Sequence, residues 1–447
     1  MTLDVVRFDD AAPHAFLVAG AIAESGLPVT VVRDFIGRFT LVVDDRESSM
    51  SETAKDERAQ ELRRGLRSYA SHEPLLRASD LFAPESFLGE DRRILHSERS
   101  DSRAAVHLLD RTVVGEDWAD VVLPEGSTES GSKTSRTAMY GFKGGVGRST
   151  ATFMLGRYLA AQGYCVLIVD LDLESPGVGP LLLDDEHLPD YGVIDYLVEA
   201  ALDNTAGLDL VVRVPASELE SNGELWVAPA RGRGPEPERY SYVNKLNRVY
   251  ADVPAEGGKP RRFAERLENA VSFCEKRVEE LSRTPDVVLL DSRAGIHDIA
   301  AVAISRLSDL ALLFAADNEQ TWQGYRDLFQ EWKQTGQAGK IREKLRVVAS
   351  MVPASRRAEY LESLRDNAAT AFSDLYDDVE GGEDWNAFNP SLEDESAPHA
   401  PVPILFSTDL VGLGSGRNPG WWDQPLVQAA YEDFLLTAAE LVLNEES

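Results

Sequence analysis

The sequence predicts an α/β protein: a doubly wound, mostly parallel sheet preceded by a small α+β domain. Three observations carry this. Thr137 to Thr150 passes from an apolar strand through a glycine turn into a helix with Phe153, Leu155, Tyr158 and Leu159 on its apolar side. Two continuous apolar runs, Cys165–Asp170 and Asp286–Asp291, end in aspartate, as parallel strands covered on both faces do. Helical periods then alternate with such strands to Leu443.

At 447 residues the chain is long enough for two or three domains. Its 43% hydrophobic and 27% charged residues are those of a soluble globular protein. Cys165 and Cys274 supply neither a disulfide framework nor a zinc site and fit a reducing, cytoplasmic setting. No signal peptide is expected at the N-terminus. The apolar region Ile299 to Ala316 is broken by Arg306 and Asp309, too much to span a bilayer. A net charge of −31 counts against broad DNA binding and against docking on anionic membranes. Local basic clusters occur at Arg63 to Arg67, Arg261-Arg262, and Lys340 to Arg346 with Arg356-Arg357; solvated helix faces explain most such clusters.

Residues 1–123 are expected to form the small domain. Strands are predicted over Asp4–Phe8, Pro28–Arg33 and Arg38–Val43, and a helix over Ala11–Glu24. Ser48–Arg58 reads as a polar, mobile stretch, followed by helical patterns over Glu61–Tyr69 and Ala104–Asp110. Trp118 reads as a packing anchor, and His14, His72, His96 and His107 show no metal spacing. With no catalytic constellation in it, this unit is expected to contact a protein partner or regulate the rest. Residues 124–136, rich in Ser, Thr and Gly, read as a linker, and 137–447 as the second domain.

The glycine turn has the layout of a phosphate-binding loop. Gly144, Gly145 and Gly147, with Val146 between them, let main-chain amides turn inward, and the following helix adds partial positive charge. Arg148 stands at the usual position of the phosphate-binding cation, and Ser149, beside Thr150, at that of the hydroxyl that holds Mg²⁺. Asp170 and Asp172, two residues apart beyond a strand end, point the same way into the crevice where such sheets bind ligands.

Lys143, just before the paired glycines, is a second cation that an ordinary loop of this kind does not need. The string Lys143 to Ser149 resembles the deviant Walker A motif of the ParA/MinD class of ATPases, in an arginine-bearing KGGVGR variant. The resemblance covers about residues 137 to 447. It implies that Lys143 crosses a dimer interface to the partner's nucleotide, that Asp170 supports the Mg²⁺ site, and that Asp172 orients the attacking water. Asp291 then matches the family's Walker B position, holding a water on the metal, and Gly295 lets the following segment swing towards the γ-phosphate. Ser350 occupies the place of the family's base-reading asparagine. Arg148 departs from the family's lysine: it keeps the charge but favours bidentate contacts. Arg293 departs from a typical proline, leaving open a cis contact to phosphate or a salt bridge to a nearby acid. His297 has no partner in view and reads as structural.

Further strands are expected over Leu225–Pro229, Leu310–Ala315, Arg346–Pro353 and Pro401–Phe406, and helices over Asp190–Leu202, Phe263–Leu281 and Leu426–Leu443. The exit Asp317 to Gly324 opens a helix expected to bear partner or dimer contacts, and Asp374–Glu395 reads as a solvated acidic loop. The resemblance thus implies an ATP- and Mg²⁺-binding protein that hydrolyses ATP slowly and dimerises with it to recruit a partner. The alternatives are a nucleotide-stabilised scaffold with little turnover, or a DNA-associated partition ATPase. A tyrosine kinase would want a Tyr-rich tail, and an iron–sulfur ATPase ligand cysteines near the nucleotide; neither is present.

Overall fold

A computed structural model describes residues 6, 8–89, 93–94, 104–111, 116–119, 121–122, 134–184, 186–215, 223–253, 260–377, 387–406 and 420–443. Its contacts divide into two compact units, Met1–Val114 and Gly115–Ser447.

The first unit runs α1 (Phe8–Ala23), β1 (Val29–Arg33), β2 (Phe39–Val43), α2 (Glu52–Leu66), β3 (Ala70–Arg77), α3 (Glu85–Leu88), β4 (Arg93–Ile94) and β5 (Val106–Asp110). Its sheet has the order β3-β2-β1-β5-β4, with β1 and β2 an antiparallel hairpin and β5 parallel to β1. Two sequence expectations fail here. The stretch expected to be mobile supplies Ser51 as N-cap of α2, its hydroxyl accepting from the Ala54 amide at 3.2 Å. A polar helix with Leu62 and Leu66 buried on one side needs only that sparse apolar stripe to dock. Where a helix is expected over Ala104–Asp110, Val106–Asp110 is strand: Val106 and Leu108 pack on one face and Leu109 on the other, a period of two that so short a run concealed. The strand expected at Asp4–Phe8 lies largely outside the described residues, and Phe8 itself opens α1.

The second unit runs β6 (Ser135–Gly141), α4 (Arg148–Ala161), β7 (Cys165–Asp170), α5 (Gly179–Leu182), α6 (Val193–Ala200), β8 (Val212–Arg213), β9 (Glu224–Ala228), α7 (Tyr242–Val249), α8 (Phe263–Leu281) and β10 (Val287–Asp291). It continues with α9 (Asp298–Val302), β11 (Leu310–Ala315), α10 (Glu319–Gln334), α11 (Ala338–Ile341), β12 (Leu345–Pro353), α12 (Arg357–Phe372), β13 (Val402–Phe406) and α13 (Pro425–Leu443). The eight strands lie in the order β13-β12-β11-β6-β10-β7-β9-β8. Every pairing is parallel except β8 with β9. Residues of α6, α8, α9, α10 and α12 fill one face of this sheet and those of α4 and α13 the other. The doubly wound architecture follows, because strands apolar on both sides must be covered on both sides.

Residues just after the contact division at Gly115 pack with the second unit. Trp118 is buried against Tyr140 and Trp332, at ring-centroid distances of 6.1 and 5.9 Å, and its carbonyl accepts from the Trp332 indole at 2.9 Å. The Val122 amide donates to the Ser305 carbonyl at 3.0 Å. Of the expected linker, Ser135 and Arg136 are strand, and positions 124–133 lie outside the described residues. Among the described residues no helix is long and apolar enough to cross a membrane.

Candidate functional site

The site is built at the carboxyl edge of the sheet, where β6, β10 and β7 are neighbours. In the parallel ladders Asp291 aligns with both Met139 and Asp170, so the two aspartates leave their strands at one level beside the end of β6. Residues more than a hundred positions apart in the chain are thereby neighbours.

After Gly141 the chain turns through Gly145 and Gly147, whose φ values of +79° and +80° only glycine adopts without strain. Gly147 is also the N-cap of α4, so that helix opens with its free amides facing the loop. Gly144, Gly145 and Gly147 are exposed, Ser149 and Thr150 half-buried, and Val146 buried as the loop's anchor. An added Cβ at Gly177 would sit 2.5 Å from the Ser149 Oγ and 3.5 Å from the Asp291 Oδ2. That close approach converges the hydroxyl, the carboxylate and the loop following β7 on one point.

Asp170 and Asp291 are fully buried and Asp172 nearly so. Asp170 accepts from the Asp172 amide on Oδ1 at 3.2 Å, and from the Gly177 and Gly179 amides on Oδ2 at 3.2 and 3.1 Å. Burial and the neighbouring Asp291 hold its carboxyl well above the usual range. Asp170, expected to support the Mg²⁺ site, holds the loop that follows β7 with both oxygens. Burial also pushes Asp291 up, and the adjacent Arg148 pulls it back. Asp291 Oδ2 is buried without a hydrogen-bond partner. Ser149 and this oxygen are hard donors of the kind Mg²⁺ takes, so the residues fit that ion.

Arg148 does not extend towards the loop's glycines. Its side chain folds back, Nε donating to Asp291 Oδ1 at 3.0 Å and a terminal nitrogen to Asp172 Oδ2 at 2.9 Å. Burial works against its charge, but Asp291 and Asp172 outweigh it and raise the pKa. Thr152 steadies the arrangement, its hydroxyl donating to the Arg148 carbonyl at 3.0 Å and lying 3.4 Å from Asp291 Oδ1. The physical reason is local: three buried carboxylates need a cation, and this one is within reach.

Lys143 Nζ donates to Asn318 Oδ1 at 3.3 Å, and Asn318 caps α10 by accepting from the Thr321 amide at 3.0 Å. Gly295, at φ +80°, is tied to the loop strand: its amide donates to the Gly141 carbonyl at 3.3 Å and its carbonyl accepts from Tyr140 at 3.2 Å. Arg293 forms an ion pair with Glu174, which also accepts from Tyr250. His297 has a partner after all: its Nε2 lies 3.4 Å from Glu174, and its Nδ1 accepts from the Ile299 amide at 3.4 Å. Burial and Arg293 lower its pKa to about 4, leaving it neutral. Ser350 stands apart, fully buried on β12, two strands from β6, its hydroxyl without a hydrogen-bond partner.

Residues 137–363 match the family model of the CobQ/CobB/MinD/ParA nucleotide binding domain, just over half of the chain. The chain belongs to that family. Solved structures similar to it include the MinC:MinD cell division complex of Aquifex aeolicus (16% identity, TM-score 0.41, covering 68% of this chain and 96% of that one). Another is a plasmid partition protein of Borrelia burgdorferi B31 bound to AMPPNP (15%, 0.41, 70% and 100%). A third is pNOB8 ParA bound to nonspecific DNA (15%, 0.43, 70% and 100%). No curated protein matches the chain.

Within this ParA/MinD-type P-loop site, four participants were not singled out from sequence. Glu174 and Gly177 sit in the same acidic turn as Asp172, and Asn318 in the exit expected to start a helix. Thr152 is the next hydroxyl along α4. Each was visible as a residue but had no spacing to mark its role.

Proposed function

We propose that this chain binds ATP with Mg²⁺ at the loop Gly144–Thr150, hydrolyses it slowly, and uses the bound state to dimerise and engage a protein partner. The observation that carries the reading is the convergence of the Ser149 hydroxyl, Asp291 Oδ2 and Gly177 beside a glycine loop that caps α4. Main-chain amides of the loop and the α4 N-terminus would cradle the phosphates. Ser149 and Asp291 would hold the metal, which when bound neutralises developing phosphate charge. Asp172, once free of Arg148, would orient the attacking water, a task that positioning rather than strong basicity accomplishes. Lys143, half-buried beside the loop, would reach the nucleotide of a second copy. The first unit would carry partner contacts.

A scaffold with little turnover is favoured by one observation, the pairing of Arg148 with Asp172. DNA association has less support. Arg342 pairs with Asp377 at 2.6 Å, Lys344 is buried, Arg346 donates to the carbonyls of Ala397 and Glu395, and Arg357 pairs with Asp433. That basic cluster is engaged internally.

Phosphate release from ATP, measured for wild type and Asp172→Ala, tests the enzyme reading: slow turnover lost in the variant is expected, and none in wild type with any partner favours the scaffold. Light scattering with and without ATP tests the switch; masses that ignore ATP, or Lys143→Ala dimers like those of wild type, would refute it.

A further inference from the structure

We infer that Arg148 is a built-in counter-ion standing in for the metal's charge, so that Mg²⁺ enters this site only together with a nucleotide whose phosphates draw the guanidinium away. The inference rests on the nucleotide-site reading above.

Three carboxylates, Asp170, Asp172 and Asp291, are buried within one crevice. Left unpaired, they would repel one another in a medium that screens poorly. Asp170 is satisfied by three backbone amides. The other two share the one guanidinium, at 2.9 and 3.0 Å, and Arg148 is only 8% exposed. The planar fork of arginine lets one cation donate to two acids at once; an ammonium at the same position is a single point of charge on a different stem. Thr152, bonded to the Arg148 carbonyl, holds the start of α4 so that the side chain is aimed inward.

Two consequences follow for a divalent ion. One oxygen of its Asp291 ligand, Oδ1, already accepts from a cation, and the ion itself would meet a positive charge alongside. Free Mg²⁺, which dehydrates reluctantly, gains too little in such a site. A triphosphate changes the balance. Its oxygens offer arginine a bidentate acceptor of higher charge than either aspartate. Withdrawal of the guanidinium onto phosphate removes the positive charge beside Asp291, whose Oδ2 faces the Ser149 hydroxyl, and frees Asp172 for water in one movement. Arg148 therefore positions both acids and makes metal entry conditional on nucleotide.

Calorimetry with MgCl₂ alone, on the full chain, tests this. Wild type is expected to show no saturable heat at millimolar Mg²⁺ and no change in thermal midpoint. Arg148→Ala is expected to take up Mg²⁺ without nucleotide, about tenfold or more tighter than wild type, with a midpoint that rises as Mg²⁺ is added. Adding Asp291→Asn to that variant should remove the uptake. Arg148→Lys, which keeps charge but loses the fork, should fall between and decides the matter if the alanine variant does not fold. Wild type binding Mg²⁺ alone as tightly as the variants overturns the inference. A separate titration of wild type with ATP and Mg²⁺ judges the nucleotide-site reading: absence of heat there sinks that reading, whereas the Mg²⁺-only comparison still judges Arg148.

Discussion

Gly177 shows how little room the site leaves. A methyl group there would lie 2.5 Å from the Ser149 hydroxyl, so the side chain expected to hold the metal would have to turn away. Gly177→Ala is expected to cost about 1–2 kcal/mol of crowding, or roughly tenfold in affinity for ATP with Mg²⁺, read by calorimetry. Lys344 gives a second residue-level prediction, on stability. Burial lowers its pKa from 10.5 to about 8, against the opposing pull of Asp309, and its ammonium donates to the Ser308 carbonyl at 3.2 Å. Because the folded form releases its proton first, the unfolded chain binds more protons between about pH 8 and 10.5, and stability should rise with pH across that window. Below it the lysine is charged in both states and the penalty, at most about 3 kcal/mol, is fully present. Urea midpoints of wild type should therefore climb from pH 8 towards 10 relative to those of Lys344→Met; parallel curves would refute this.

Among the elements, α10 decides the approach to the phosphate loop. Its aromatic side, Trp322, Tyr325, Phe329 and Trp332, is buried in the sheet's core rather than offered to a partner. Gly324 is the point of closest contact: a Cβ there would meet the Phe142 ring at 2.2 to 2.4 Å, one residue before Lys143. Gly324→Ala should destabilise the fold by about 1–3 kcal/mol and shift Phe142, weakening nucleotide binding as well. Urea unfolding and calorimetry would check both, and an unchanged midpoint would show that α10 yields more readily than its packing indicates. Asn318 joins this helix to the site directly, since it caps α10 and holds Lys143.

At the scale of the whole molecule, the two compact units differ in what they bury. The second owns Trp118, packed edge-on and tilted against Tyr140 and Trp332, although the residue precedes β6 in sequence. A fragment from Gly115 to the end should fold and bind nucleotide as the full chain does. One that starts at 124 would lose the Trp118 anchor and should be about 3–5 kcal/mol less stable. Thermal midpoints of the two fragments decide; equal values would place the boundary at 123 after all.

The sequence by itself determined the sheet's class, the strand ends and most of the residues that meet there. Apolar runs buried on both faces, a glycine turn in register with a basic residue and hydroxyls, and aspartates at strand termini are all local patterns, and local patterns survive in one dimension. What only the tertiary structure decided was pairing. Arg148 turning back onto Asp172 and Asp291, Arg293 choosing Glu174, His297 finding the same acid, and Asp170 giving both oxygens to amides all depend on distances set by the order of strands. A short run such as Val106–Asp110 depended on pairing too, for its alternation acquires meaning only beside β1. A charged side chain takes whichever opposite charge the fold brings within about 3 Å, and no spacing along the chain encodes that choice.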